Sequence, residues 1–364
     1  MKLWRDLLIA ALRPRPPRGA LSPGELDLVH HILVVRMHDQ LGDFLLATPA
    51  LYALRRRFPR VHLTLVVNGF LAPLAECNPD IDRLVVAPWT RSPRNPGQVL
   101  RLLRDLRGRQ YDLALVLNTV SHSLTSDVVA RLSRAKRVVG PVRPELRDTP
   151  GAPLYDWAYE PAAPVNAHQL SRAAALVAPL GCDPRPHGYR FALDPLSEDV
   201  ADRVQESLPS GSVVAVHIGT RDAAKRYPTA RWAAVLTEVA RESGAHVLLL
   251  DAPDARDEVR RLGASLAVPH TRLGPLTLRE TAAVVARVPL LLCHDSALLH
   301  VAAALGTPTV TVFGRGEVEE WAPPGRRHCA LQALSKRPED VPVADVSKEA
   351  LDLLRESQAR TKSV

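Results

Sequence analysis

Three short segments carry side chains that could do chemistry, and each follows an apolar run of strand length. The first contains Gly42 and Asp43, after the run HILVVR at residues 31–36. Glycine permits a tight turn and close approach of a ligand, and a carboxylate there could accept a proton from a hydroxyl nucleophile. Alternatively, Asp43 only opens a helix, where the helix dipole favours an acidic residue. His38 and Asp39 are nearby rivals for the same role.

The second segment runs from His217 to Pro228 and combines a Gly-Thr turn with a basic pair. Backbone N–H groups of the turn at Gly219 and Thr220, the threonine hydroxyl and the Lys225 ammonium could together hold a diphosphate. Only six of the 47 basic residues are lysines, so a compact point charge at position 225 is less expected than a guanidinium. The alternative for Lys225 is an ordinary solvated loop charge.

The third segment begins with Asp295 and Ser296, directly after the apolar run PLLLCH. Ser296 is a natural N-cap for the helix predicted to follow, and the free N–H groups of a helix N-terminus attract phosphate. His300 lies four residues later and on the same helix face, so both side chains could point at one anionic group. The alternative is a capped helix with a half-buried histidine.

Strand and helix patterns alternate in two series along the chain, one after residue 31 and one after residue 213. This pattern predicts two α/β domains, each a parallel sheet with helices on both faces. Ligands bind beyond the carboxyl ends of such strands, so we expect two facing lobes with a cleft between those ends. The predicted parts are an N-terminal extension (1–28), a first domain (29–182), a linker (183–195), a second domain (196–335) and a helical tail (336–364).

Three local features give sharper expectations about single elements. Pro49 lies inside the helix pattern that follows Asp43, which predicts a kink or a split. Thr229 is the predicted N-cap of the helix after the second segment. Residues 143–164 have no clear period and predict a long loop.

Composition limits the classes of protein that the chain can be. With 364 residues, 46% hydrophobic and 24% charged, it can bury two domain cores, and no apolar run reaches the ~18 residues of a membrane span. The net charge of +8 favours an anionic partner, such as phosphate, nucleic acid, an acidic sugar or a membrane surface. Aromatic residues total only 4%, so we expect no nucleic-acid binding by stacking.

The sequence lacks a P-loop, a GxGxxG motif in the first βαβ unit, HExxH, an EF-hand loop, and a DxD pair placed to hold a metal with a nucleotide. We therefore expect no bound metal and a metal-independent mechanism. The four cysteines are far apart without a CxxC pair, which predicts reduced, buried thiols in a cytoplasmic protein.

The first 18 residues are basic and contain a short apolar run that is too short for a secretory signal. One face of the helix predicted there is apolar and consists of Leu3, Trp4, Leu7, Leu8 and Ala11. Such a helix could lie on an anionic membrane surface. It could equally pack on the protein's own surface.

Taken together, these segments resemble glycosyltransferase family 9, the ADP-heptose:lipopolysaccharide heptosyltransferases. The likeness rests on ILVVR...LGDFLLATPALYALRRRFP, NAHQLSRAAALVAPLG, VVAVHIGTRDAAKRYPTARWAAVL and LLLCHDSALLHVAAALGTPTVTVFG, which follow the family's order over residues 31 to about 325. The resemblance implies the GT-B type of α/β fold, with two Rossmann-like lobes whose parallel sheets face each other across a cleft. It makes 29–182 the acceptor side and 196–335 the nucleotide-sugar side.

By the same resemblance, Asp43 is the general base and Lys225 contacts the donor phosphates. The other donor-binding positions that the resemblance implies are Gly42, Gly219, Thr220, Asp295, Ser296, Ala297 and His300 for the phosphates and, for the nucleoside, Asp254. The chain departs from the family at Ala297, where the usual glycine gains a methyl group, and in a turn before Gly42 that is one residue longer than usual.

The activity that the resemblance implies is inverting, metal-independent transfer of a sugar, heptose from ADP-heptose, to a lipopolysaccharide core or a related anionic, lipid-linked saccharide. The donor is a substrate, and no cofactor is expected. The expected location is cytoplasmic, with peripheral contact through residues 1–18 at the inner face of the cytoplasmic membrane. Two alternatives stay open: a sugar-nucleotide epimerase of the same fold, and a non-catalytic protein that binds a nucleotide or a saccharide.

Overall fold

The computed structural model describes residues 6, 9–13, 18–38, 40–89, 95–119, 121–142, 152–164 and 166–361. The chain divides into two compact parts, which we call unit 1 (Met1–Arg190) and unit 2 (Phe191–Val364). The division falls inside the segment 183–195, where the linker is predicted.

Unit 1 is built on a parallel sheet of six strands in the order β3-β2-β1-β4-β5-β6. The strands are β1 (His31–Arg36), β2 (His62–Asn68), β3 (Arg83–Ala87), β4 (Leu113–Val116), β5 (Arg137–Pro141) and β6 (Trp157–Tyr159). Its described α-helices after residue 18 are Pro23–Asp27, Leu41–Arg57, Ala72–Ala75, Pro96–Arg107, Leu124–Leu132 and Gln169–Ala175. The strand order reverses between β1 and β4, and doubly wound sheets bind ligands at the carboxyl ends of such a strand pair.

Unit 2 repeats this topology, because its six parallel strands follow the order β12-β11-β10-β7-β8-β9. The strands are β7 (Val213–His217), β8 (His246–Leu249), β9 (His270–Arg272), β10 (Leu290–His294), β11 (Thr309–Val312) and β12 (His328–Leu331). Its α-helices are Pro195–Ser207, Thr229–Ser243, Arg256–Ser265, Leu278–Arg287, Ala297–Leu305, Val318–Trp321 and Val343–Thr361. The corresponding reversal lies between β7 and β10.

The predicted α/β architecture is confirmed in both units, but three short strands were not predicted. They are β6, which lies in the expected loop 143–164, and β9 and β12. All three are edge strands, and β9 and β12 are only partly buried. A strand that is not buried on both faces lacks the continuous apolar run that marks a central parallel strand.

The helix Leu41–Arg57 runs through Pro49 without a split, so a kink is the part of the prediction that stays open. Proline has no N–H to donate to the carbonyl four residues earlier, which here belongs to Leu45. The Thr48 hydroxyl donates to that carbonyl instead, at 2.6 Å, and also accepts from the backbone N–H of Arg190 at 3.0 Å. One buried side chain therefore repairs the helix and ties the end of unit 1 to it.

Replacing Thr48 with valine is expected to destabilise the protein by about 2–4 kcal/mol, because an unpaired buried donor or acceptor costs ~1–3 kcal/mol. Thr64→Val in β2 is the matched control, since the Thr64 hydroxyl is equally buried and has no hydrogen-bond partner among the described residues. Denaturant unfolding measures both. Equal effects of the two substitutions would contradict this account of Pro49.

One further expectation changes in unit 2. The N-cap of the helix Thr229–Ser243 is Pro228, not Thr229, because the Pro228 carbonyl accepts the first N–H bonds of the helix. The predicted tail is the helix Val343–Thr361, which packs on Thr229–Ser243 within unit 2. The Ser347 hydroxyl donates to Glu238 at 2.7 Å across this contact.

The N-terminal extension is partly described. Residues 9–12 are helical, Ile9 is buried, and Arg131 donates to the Leu12 carbonyl at 3.1 Å. This part of the segment therefore packs on unit 1, whereas Ala11 is exposed. The other members of the predicted apolar face, Leu3, Trp4, Leu7 and Leu8, lie outside the described residues. Within the described ranges, none of the helices has the length and apolarity needed to cross a membrane.

Candidate functional site

Asp43 lies at the carboxyl edge of the unit 1 sheet, in the first turn of the helix that follows β1. Gly42 is the second residue of this helix, and Gln40 is its N-cap without a side-chain capping bond. The Asp43 side chain is largely buried, with 9% of the residue exposed. Because β1 borders the strand reversal, the carboxylate occupies the edge where this type of sheet binds ligands.

A buried arginine lies close to this carboxylate in unit 1. Arg36 ends β1, is 1% exposed, and donates to the Leu117 carbonyl at 2.9 Å and to the Thr119 hydroxyl at 3.0 Å. Burial lowers the pKa of Arg36 to about 10, and the negative charge of Asp43 opposes that shift. Arg36 therefore places a positive charge beside the candidate base and bridges the ends of β1 and β4.

The turn between β1 and its helix is held by side chains of neighbouring elements. The Asn68 amide donates to the carbonyls of Met37 and His38, and the Ser126 hydroxyl accepts from the Met37 N–H at 3.0 Å. The His38 ring contacts the Ser121 carbonyl at 2.9 Å, while the other rival, Asp39, lies outside the described residues. These bonds fix the turn from which Asp43 projects.

In unit 2, two predicted segments meet at the strand reversal. The Lys225 ammonium lies 2.5 Å from a carboxylate oxygen of Asp295, with 29% and 10% of the two side chains exposed. Lys225 ends a short 3₁₀ turn after β7, and Asp295 directly follows β10. The parallel pairing of β7 with β10 brings together residues that are 70 positions apart.

His294 organises this site and was missed by the sequence analysis. Its Nε2 accepts from the Tyr227 backbone N–H at 2.8 Å and from the Trp232 indole at 3.0 Å, and its Nδ1 donates to the Ile218 carbonyl at 3.1 Å. Burial lowers the pKa of His294 to about 3, so the ring stays neutral with its proton on Nδ1. The loop that carries Lys225 is thus bonded at both ends to the last residue of β10.

Replacing His294 with leucine is expected to cost about 2–5 kcal/mol of stability, because two buried N–H groups lose their acceptor. Trp232→Phe is the matched control, since it removes the indole N–H donor but leaves the His294 ring bonded to Tyr227 and Ile218 in the loop. Thermal unfolding and nucleotide titration of both variants check this. If His294→Leu unfolds like the parent, the histidine does not hold the loop.

Gly219 lies very close to side chains of the neighbouring loop. A Cβ at this position would lie 2.6 Å from Ala252 Cβ and 2.8 Å from an oxygen of Asp254, so a larger residue would displace both. Arg226 donates to the carbonyls of Thr220 and Asp254 at 3.2 Å each. Three predicted residues, Gly219, Thr220 and Asp254, therefore gather at the end of β7.

The helix Ala297–Leu305 begins two residues after Asp295, with Ser296 as its N-cap, as predicted. The Ser296 hydroxyl makes no capping bond, and its oxygen is buried without a hydrogen-bond partner among the described residues. Ala297 is half-buried, and His300 is buried at 3% exposure. The start of this helix thus combines an unpartnered, buried hydroxyl with backbone N–H groups of the kind that bind anions.

Clusters of metal ligands and cysteine thiols are two further groups that can carry chemistry. No group of three or more His, Cys, Asp or Glu side chains in the described part of the chain could hold a metal ion. All four cysteines are free, and three of them are buried. Burial raises the pKa of the Cys182 and Cys293 thiols to about 12, so neither is a thiolate at neutral pH.

Comparisons with known proteins give one consistent result. The family model described as glycosyltransferase family 9 (heptosyltransferase) matches residues 99–345. Lipopolysaccharide heptosyltransferase 1 of Pseudomonas aeruginosa is 28% identical over 296 residues, which is 78% of each chain. The glycosyltransferase family 9 structure from Veillonella parvula has a TM-score of 0.79 at 21% identity and covers 93% of this chain and 100% of its own. The E. coli heptosyltransferase WaaC with ADP has a TM-score of 0.72 at 20% identity, covering 90% and 99%.

Each unit is a doubly wound parallel sheet with charged side chains at the carboxyl ends of its strands, and this arrangement is that of a Rossmann-like α/β protein. The structural matches confirm the GT-B type of fold. The family model covers more than half of the sequence, and the chain belongs to glycosyltransferase family 9. It is a glycosyltransferase, as the resemblance implied, which disfavours both the epimerase and the non-catalytic alternative. The matched range contains Lys225 and Asp295, whereas Asp43 precedes it.

Proposed function

We propose that this chain transfers heptose from ADP-heptose to a lipopolysaccharide core or a related anionic, lipid-linked saccharide, with inversion and without a metal. The observation that carries the proposal is the unit 2 cluster, in which Lys225 and Asp295 meet beside a helix N-terminus with an unpartnered Ser296 hydroxyl. Ammonium, hydroxyl and backbone N–H groups are the donors that a diphosphate requires. A similar fold was solved with ADP, which supports this nucleotide.

The proposed mechanism divides the work between the two units. Asp43 takes the proton of an acceptor hydroxyl. At the same time the oxygen of that hydroxyl attacks the anomeric carbon of the donor, and the bond between this carbon and the diphosphate breaks. Attack opposite the leaving group inverts the anomeric configuration. Lys225, Thr220 and the N–H groups that follow Ser296 stabilise the negative charge that develops on the leaving ADP. No step in this scheme requires a metal or a cofactor.

The nucleoside contact is proposed for Asp254. Its carboxylate lies beside Gly219, and its backbone carbonyl accepts from Arg226, which also pairs with Glu258 at 3.3 Å. A carboxylate held at the end of β7 can accept hydrogen bonds from ribose hydroxyl groups. A contact with the ribose does not distinguish one nucleotide base from another, so other contacts with the donor would select adenine.

Calorimetric titration with ADP, UDP and GDP, first in EDTA and then with Mg²⁺, tests the donor assignment. We expect ADP to bind in EDTA more tightly than the other two. A preference for UDP or GDP would mean that the donor carries that nucleotide in place of ADP. A requirement for Mg²⁺ would reject the metal-independent mechanism. Absence of binding to all three nucleotides would reject the nucleotide-sugar donor as proposed.

Peripheral membrane contact through residues 1–18 is part of the proposal, because the acceptor is proposed to be lipid-linked. Removing residues 1–8 preserves the contacts of Ile9 and Leu12 with unit 1. This deletion is expected to weaken binding to anionic vesicles and to leave transfer to a water-soluble acceptor unchanged. Unchanged vesicle binding would contradict the role of this segment.

A further inference from the structure

The helix Pro96–Arg107 of unit 1 has two different faces. Leu102 and Leu106 are buried against the sheet, whereas the opposite face is basic and carries one strongly exposed apolar side chain. Leu100 is 68% exposed. The surface residues that line this opposite face are Gly97, Leu100, Arg101, Leu103, Arg104, Arg107 and Gly108.

We propose that this face docks on an anionic phospholipid surface. Arg101, Arg104 and Arg107 are exposed, whereas Asp105, the one acidic residue of this helix, is half-buried. Three guanidinium groups on one stripe of a helix match a plane of phosphates, and long arginine side chains can reach headgroups while an exposed leucine enters the apolar boundary.

A membrane suits this face better than a protein partner. The centre of a protein interface is normally apolar and depleted of charge, whereas among the described residues of this face the one strongly exposed apolar side chain is Leu100, beside three arginines. Attraction between basic side chains and anionic lipids needs no apolar centre.

The position of the helix places this face near the unit 1 ligand edge. The helix follows β3, so its first turn begins at the carboxyl ends of the strands, the edge that also carries Asp43. The Gln98 side chain donates to the Pro88 carbonyl at 2.7 Å, which ties the first turn to the end of β3. Docking would therefore bring the proposed lipid-linked acceptor close to this edge. This consequence rests on the proposed function, but the docking itself does not.

The expected effect on membrane binding is large. Each basic side chain near an anionic surface contributes ~1 kcal/mol, or about fivefold in partition between membrane and water. Replacing Arg101, Arg104 and Arg107 with glutamine should therefore lower partition about 150-fold if the three contributions add. A second membrane contact through residues 1–18 would be present in both the parent and the variant, so it would leave the ratio of their partition unchanged.

Sedimentation with vesicles of equal parts phosphatidylglycerol and phosphatidylcholine tests the proposal on the full chain. Vesicles of phosphatidylcholine alone give the neutral reference. The matched control replaces three basic side chains on the helix Val343–Thr361 with glutamine, so that the net charge falls equally. These side chains, each paired with a carboxylate on its own helix, are Lys348, Arg355 and Arg360. A thermal unfolding curve verifies that both variants fold.

We expect the parent and the control variant to bind the anionic vesicles and the Arg101/Arg104/Arg107 variant to lose this binding at low salt. If the triple variant still binds like the parent, if the control loses binding equally, or if the parent binds no anionic vesicle, the proposal is overturned. If the triple variant does not fold, Leu100→Ser and Arg104→Gln are measured singly, and two variants that bind like the parent overturn it. None of these outcomes depends on sugar transfer, so failure of the proposed activity is detected separately.

Discussion

Asp43→Asn is expected to slow sugar transfer by about 10²–10⁴-fold, the usual contribution of a positioned general base. Asparagine keeps the size of the side chain but cannot take a proton from the acceptor. Because Asp43 belongs to unit 1 and the donor contacts are proposed in unit 2, donor affinity should stay close to that of the parent. Single-turnover transfer and donor titration measure the two quantities separately.

His38→Gln is the control for this prediction. His38 precedes the same helix, and its ring contacts the Ser121 carbonyl at 2.9 Å, so glutamine can keep a polar contact there. A large loss of transfer in His38→Gln together with near-normal transfer in Asp43→Asn would reassign the base to the histidine.

Lys225→Ala is expected to lower kcat/KM about a hundredfold, because one well-placed donor to a developing negative charge is worth ~3 kcal/mol. The structure adds a second consequence, since Asp295 loses the cation that lies 2.5 Å from its carboxylate. That carboxylate is 10% exposed, and its unbalanced charge would also repel the donor phosphates. Affinity for ADP should therefore fall together with the rate.

A double-mutant cycle separates the two roles of Lys225. In Lys225→Ala with Asp295→Asn, the unbalanced negative charge is gone but the ammonium is still missing. If Lys225 binds phosphate, the double variant stays slow and binds ADP weakly. Recovery to the Asp295→Asn level would show that the lysine only neutralises the aspartate.

The central strands of both sheets could be predicted because they are buried on two faces. β1, β4, β7 and β10 each contain a continuous apolar run, and such runs occur where both sheet faces are covered. The outer strands β6, β9 and β12 have no such pattern, so they are recognised only in the structure, from their pairing with a neighbouring strand. Pro49 shows a different limit, because its helix continues through a Thr48 hydroxyl bond that no spacing rule predicts.

The residues of the candidate site also fall into two groups, those that the sequence singled out and those that it did not. Asp43, Lys225 and Asp295 could be singled out because each follows an apolar strand near a helix start, where parallel sheets bind ligands. His294 and Arg36 were missed, because their significance depends on partners distant in the sequence, such as Tyr227 and Thr119. A charged or polar residue at the very end of an apolar run, as in HILVVR and LLLCH, is the signal that could have found them.

Transfer of a heptosyl residue is the central claim, and one assay tests it directly. The purified chain is incubated in EDTA with ADP-heptose and a lipopolysaccharide core saccharide that lacks heptose, and the products are analysed by mass spectrometry and NMR. We predict that the acceptor gains one heptosyl residue of inverted anomeric configuration while an equal amount of ADP is released. Conversion of ADP-heptose to another sugar nucleotide without acceptor, or binding of the donor with no change in either substrate, would contradict the account.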